Sequence, residues 1–195
     1  MVLSLRSSLL AAALAAASLV AQAGIVNLAA DDQWNGFTVN PDASMSNGLE
    51  WIDANDSNSA SYGSALSFKF TIAQGMVGTF SVVDTSYAGD VFAIYDNGQF
   101  LGTTSLVSVP AGGYANAALE HDPELAFNNT AFSRGVFTLA EGAHSITGVL
   151  IPADLPFTDG SVKLTTSPVP EPSSVSLLLA ALGIAFVASR RVTKA

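Results

Sequence analysis

The 195-residue sequence predicts an all-β fold, an antiparallel β-sandwich of jelly-roll type, for the middle of the chain. Three observations carry that expectation. Leu66, Phe68, Phe70 and Ile72 alternate with Ser67, Lys69 and Thr71, and a period of two gives a strand one buried face. Asn97-Gly98 sits between apolar runs at 91–95 and 100–104; both residue types tolerate positive φ, so the pair reads as a two-residue hairpin turn. No stretch of residues 24–168 sustains helical periodicity, and one long irregular connection over 110–130 separates two groups of short strands.

Taken in order, residues 25–28 form a first short strand. Residues 31–64 are rich in Asn, Asp, Ser and Gly and read as loops with short strands at 36–39 and 49–52. Strands follow at 66–72 and 79–84. The run 91–95 is apolar on both faces, which places it inside a sheet, and 100–104 is its return partner. Within 110–130 a helical turn is expected near 115–119. Strands resume at 135–139, turn at Glu141-Gly142, run back over 144–151 and end with 161–166. The predicted core is Phe68, Phe70, Phe80, Val82, Phe92, Ile94, Phe137, Leu139, Ile146, Leu150 and Leu164. Trp34, Trp51, Tyr62, Tyr87 and Tyr114 lie in polar context outside it.

Both ends differ from this middle. Arg6, an apolar run at 9–20 and the small residues around Ala21 and Ala23 have the layout of a signal peptide, residues 1–23, with Gly24 as the first mature residue. The body is then residues 24–168, one domain's worth of chain. It holds three basic residues, Lys69, Arg134 and Lys163, against fifteen acidic ones, a net charge of −12. Nucleic acid needs Lys and Arg to neutralise phosphates, so that partner is excluded. An anionic membrane surface would repel the body too. There is no cysteine, so no disulfide and no thiolate chemistry. The core alone must hold the fold together.

Residues 169–195 form a third region. Val169-Pro170-Glu171-Pro172-Ser173 precedes an uncharged apolar run at 175–189 and the basic end Arg190, Arg191 and Lys194. As a helix the run spans about 22 Å, short of a hydrocarbon core about 30 Å thick, though thinning and snorkelling absorb such mismatch. The basic end is a stop-transfer cluster that stays cytoplasmic, which puts everything before it on the other side. A single-pass anchor on a proline stalk would look similar. The motif, short transmembrane helix and basic end in this order resemble the bacterial PEP-CTERM sorting signal, also called the ice-binding protein C-terminal domain. The resemblance implies a membrane protease of the exosortase type that recognises Pro170-Glu171-Pro172 and cuts nearby, after a transient anchoring in the membrane. It identifies a route rather than an activity, because the tail occurs on unrelated bodies. The hairpin over 89–105 also resembles one common in secreted lectin-like sandwiches.

Candidate chemistry in the body is sparse. Nucleophilic catalysis needs a nucleophile, base and orienting group that converge. His121 and His144 are the only imidazoles, neither in a recognised motif, and no Gly-x-Ser-x-Gly elbow exists. His144 reads as a turn or cross-strand hydrogen-bonding residue. His121 has acidic neighbours Glu120, Asp122 and Glu124 that suit a metal or a solvated loop. Asp84, Asp90 and Asp96 flank two strand ends and are candidates for a structural calcium, which takes oxygen ligands; the loop with Asp53, Asn55 and Asp56 is a second. Trp34 and Trp51 are candidate sugar-stacking rings. Thr103-Thr104 and Thr165-Thr166 do not make the regular array expected of an ice-binding face.

The expected function is therefore non-enzymatic: an exported, exosortase-processed protein of the cell envelope or extracellular matrix, found at the cell surface or outside after processing. By resemblance, exopolysaccharide and biofilm are its setting. The other reading is a secreted carbohydrate-binding, lectin-like module or a glycan-active enzyme.

Overall fold

The computed structural model of the chain describes residues 23–111, 113–151 and 157–169. Among them the strands are β1 Gly24–Asn27, β2 Asn35–Val39, β3 Leu66–Ile72, β4 Met76–Tyr87, β5 Val91–Asp96, β6 Gln99–Thr103, β7 Leu119–Glu120, β8 Arg134–Leu139, β9 Gly142–Ile151 and β10 Thr158–Pro168. One helix, α1 Pro123–Asn128, and a single 3-10 turn at Tyr114–Asn116 complete the order. The fold is the expected all-β sandwich.

One sheet runs β1-β3-β9-β5-β6 and the other β2-β10-β4, with β8 beside the first half of β4 and β7 beside its end. Pairing is antiparallel except for β1, which lies parallel to β3. The alternation of β3 turns Leu66, Phe68, Phe70 and Ile72 inward and leaves Lys69 and Thr71 exposed. These meet Phe37, Val39, Phe80, Val82, Val162 and Leu164 of the facing sheet in one core cluster. Each such side chain contributes about 1.5–3 kcal/mol through its burial. As its two-sided apolar run requires, β5 lies between β9 and β6. Asn97 and Gly98 take φ of 49° and 78°, the pair of positive values a tight hairpin demands.

Four features depart from the sequence reading. First, residues 49–52 are no strand; Glu50 and Ile52 make only isolated bridges, to Val149, Thr38 and Ala65. Second, β4 and β10 are longer than expected, pairing from Asp159↔Thr85 to Pro168↔Met76, because the ladder continues through residues whose outward side is polar. Third, the helical turn expected near 115–119 is the 3-10 turn Tyr114–Asn116, and a short α-helix that the sequence reading did not place follows it at 123–128. Asp122 caps it, accepting from the Glu124 and Leu125 N–H groups at 2.8 and 3.1 Å, and Pro123 opens it; cap and proline are the usual start signals. Fourth, Phe137 is only half-buried, lying over Gly135 and Gly102 at the sandwich margin.

A second apolar cluster, Val83, Ala88, Ala126 and Phe132, sits on the other face of the β4 sheet. Val82 and Val83 point to opposite faces, so β4 carries the main core on one side and the α1 segment on the other.

Candidate functional site

The strongest electrostatic anomaly lies where β4 ends and β5 begins. Asp84 is 0 % exposed and Asp90 is 2 % exposed. The turn between them folds back, and Asp84 Oδ2 accepts from the Gly89 and Asp90 N–H groups at 3.1 and 3.2 Å. The Thr158 hydroxyl approaches Asp84 Oδ1 at 3.5 Å, and the Tyr114 hydroxyl donates to Asp90 Oδ1 at 2.9 Å. Burial, then the neighbouring Asp90 carboxylate, push the Asp84 carboxyl up to about 8 against these opposing hydrogen bonds. Burial also raises Asp90, and the Thr158 and Tyr114 hydroxyls oppose it. At neutral pH the pair holds a proton. It is too enclosed for a sugar ring to reach, so it does not act as a glycosidase pair.

Asp96 does not join them. It lies at the far end of β5 from Asp90, and six residues of strand span about 20 Å. Its Oδ2 is 2.7 Å from His144 Nδ1, its Oδ1 accepts from the Ser145 N–H at 3.3 Å, and His144 Nε2 is 2.9 Å from the Ala140 carbonyl oxygen. The imidazole also stacks on Phe70 at 5.3 Å. His144 is thus the cross-strand clamp its position suggested. The expected three-carboxylate calcium set is corrected by this geometry: Asp84 and Asp90 meet, Asp96 is spent elsewhere, and no cluster of three acidic, His or Cys metal ligands exists among the described residues. Around His121, Glu120 Oε1 accepts the backbone N–H groups of His121 and Asp122, so the acidic neighbours serve the chain turn.

Neither tryptophan is an open sugar platform. Trp51 is 0 % exposed and stacks on Phe37 with ring centroids 3.9 Å apart. The segment around it looks like polar loop, yet the Trp51 backbone N–H donates to Gly148 O and the Trp51 backbone carbonyl accepts from the Leu66 N–H, which threads the ring into the core. Trp34 is half-buried. Its indole N–H donates to Glu124 Oε2 at 2.9 Å, Lys163 Nζ sits 4.7 Å above the ring, and Phe127 packs against it at 5.5 Å. Lys163 in turn bridges Asp32 and Glu124 at 3.1 and 3.0 Å. These partners lie far away in sequence, and no local spacing pointed to them.

Gly24 opens β1 and is buried, directly after exposed Ala23; Ala21 and the rest of the predicted signal peptide fall outside the described residues. Val169 is 49 % exposed just beyond β10, and its N–H donates to Gly75 O at 2.9 Å. Pro170, Glu171, Pro172 and Ser173, the apolar run 175–189, and Arg190, Arg191 and Lys194 lie outside the described residues. Among the described residues no helix is long and apolar enough to cross a membrane.

Three comparisons bear on this arrangement. The PEP-CTERM protein-sorting motif matches residues 168–192. No curated protein matches the chain. Among solved structures, the pre-peptidase C-terminal domain of a collagenase from Bacillus anthracis is similar at 7 % identity and a TM-score of 0.38, over 74 % of this chain and 95 % of that one. An all-β body stands directly before residues 168–192, and the chain carries at those residues the PEP-CTERM protein-sorting motif of exported proteins processed by exosortase.

Proposed function

We propose that the chain is a non-enzymatic component of the bacterial cell envelope or extracellular matrix, an adhesive or structural sandwich delivered in three parts. Residues 1–23 direct export, residues 24–168 are the delivered body, and residues 169–195 anchor it until exosortase cuts. The observation that carries the reading is the sorting motif over residues 168–192. The body supports it through its acidity, which suits an exported domain among glycan polymers, and through the enclosure of its most perturbed carboxyl pair. Exopolysaccharide is the material such a body would be displayed in. The reading invokes no cofactor.

Replacing Glu171 or Pro172 by Ala tests the route. In a host with exosortase the variants are expected to reach the membrane but to retain residues 175–195, so that intact mass stays high while the parent is trimmed. Normal trimming of both variants would contradict the assignment of those residues.

A further inference from the structure

The outer face of the β2–β10–β4 sheet carries a groove of about 280 Å³ apart from the Asp84–Asp90 pair and the Trp34 cluster. Strand register builds its floor. Thr38, Asp159 and Thr85 stand abreast across β2, β10 and β4, and Gly36 and Ser161 form the next row on the same face. His121, ahead of α1, and Asn55, from the Asn- and Asp-rich loop, line its sides.

The polar groups of this floor are poorly satisfied by the protein. Asp159 Oδ1 accepts from the Thr38 hydroxyl at 2.7 Å, while Oδ2 has no hydrogen-bond partner among the described residues. Thr85 is 6 % exposed and Ser161 8 % exposed, and neither hydroxyl has a partner among the described residues. Neither oxygen is sealed from solvent, since Trp51 Nε1 is the one sealed side-chain polar atom without a partner among the described residues; both hydroxyls therefore open onto the groove and are free to pair with water or a ligand. Gly36 adds a separate observation. A Cβ there would meet only Gly160 O, at 3.9 Å, and its φ is not left-handed, so neither packing nor backbone requires glycine. What its missing side chain provides is space in the groove.

The lining selects the ligand class. It contains no Lys or Arg and one carboxylate, which disfavours phosphate, sulfate or carboxylate ligands. One carboxylate is also far short of the six to eight oxygens calcium takes. A ligand rich in hydroxyls satisfies it: such groups donate to Asp159 and both donate to and accept from Thr85, Ser161 and Asn55. The volume, about 280 Å³, lies just below the usual range of ligand sites, roughly 300–1,000 Å³, and so suits a small ligand. We infer that this groove binds a neutral saccharide, one or two sugar rings of a glycan chain. The inference deepens the matrix reading by naming what the body holds, and it rests on that reading only for where the glycan is met.

The test is saturation-transfer NMR on the full chain in a zwitterionic detergent without a sugar headgroup. The probes are maltose, cellobiose, lactose, mannobiose and chitobiose, with inorganic phosphate and calcium chloride as separate arms. At least one disaccharide is expected to bind with a Kd of about 1 mM or tighter. Gly36→Leu, which fills the groove, and Asp159→Ala, which removes its carboxylate, should each weaken binding at least about tenfold with the melting temperature unchanged. Neither phosphate nor calcium should compete. Failure of every disaccharide to bind at about 10 mM, or binding undiminished in both variants, would overturn the inference. Tail trimming is indifferent to both substitutions, so loss of the glycan site leaves the exosortase route standing on its own test.

Discussion

Trp51→Ala is expected to destabilise the protein by about 3–5 kcal/mol, the usual cost of deleting a buried large aromatic. For a chain of this size that corresponds to a fall in Tm of roughly 6–20 °C. The ring stacks on Phe37, meets Phe68 and Phe92 edge-on at 6.0 and 6.1 Å, and so joins both sheets at the centre of the core. Its accommodation has required a glycine: a Cβ on Gly148 would lie 2.1 Å from Trp51 Cε2, inside any permitted contact. Gly148→Val should therefore destabilise as well, and the two substitutions should not add, because each acts on the same packing. Trp51→Phe should cost less than Trp51→Ala, since the buried indole N–H has no partner and phenylalanine removes that unsatisfied donor. Thermal denaturation by circular dichroism reads all of these. A Tm change of less than about 2 °C for Trp51→Ala would contradict the placement of the ring.

Asp84→Asn is expected to change the pH dependence of stability. The folded carboxyl titrates near 8 and the unfolded one near its ordinary value of 3.8. Below pH 4 both states hold the proton, and the group contributes its full share. Between pH 4 and 8 the unfolded chain ionises while the folded one does not, so stability falls as pH rises, by up to about 1.4 kcal/mol per unit. Above 8 both are ionised and the loss levels off. Asparagine keeps the shape and accepts from the Gly89 and Asp90 N–H groups without ionising. The variant should lose most of this slope and overtake the parent as pH rises toward 8 in urea denaturation. A bound calcium would reverse the sign, holding both carboxylates ionised and making the parent gain stability with pH. Parallel slopes for parent and variant would contradict the proton-holding pair.

The body was legible where side chains report their own surroundings. The alternation in β3, the two-sided run of β5 and the Asn97-Gly98 turn each specify local geometry, and the sheet order follows from packing those faces together. What was hidden depends on distant partners. Trp51 sits in a polar stretch and is buried because Gly148, nearly a hundred residues later, makes room for it. Asp84 and Asp90 read as calcium-ligand candidates together with Asp96, and only the fold shows the chain between them turning back so that the two are enclosed with Tyr114 and Thr158. The helix start at Asp122-Pro123-Glu124 was readable from cap chemistry and was obscured by the irregular composition around it. The groove was hidden in outward positions of β2 and β10, where Thr38, Asp159 and Ser161 look like ordinary solvent-facing residues until register places them side by side.

Intact-mass and terminal-peptide spectrometry of the protein recovered from an exosortase-bearing host tests the delivery route most directly. The expected species begins at Gly24 and ends close to the Pro170-Glu171-Pro172 motif, with residues 175–195 gone. A protein that begins at Met1 and ends at Ala195 would contradict it.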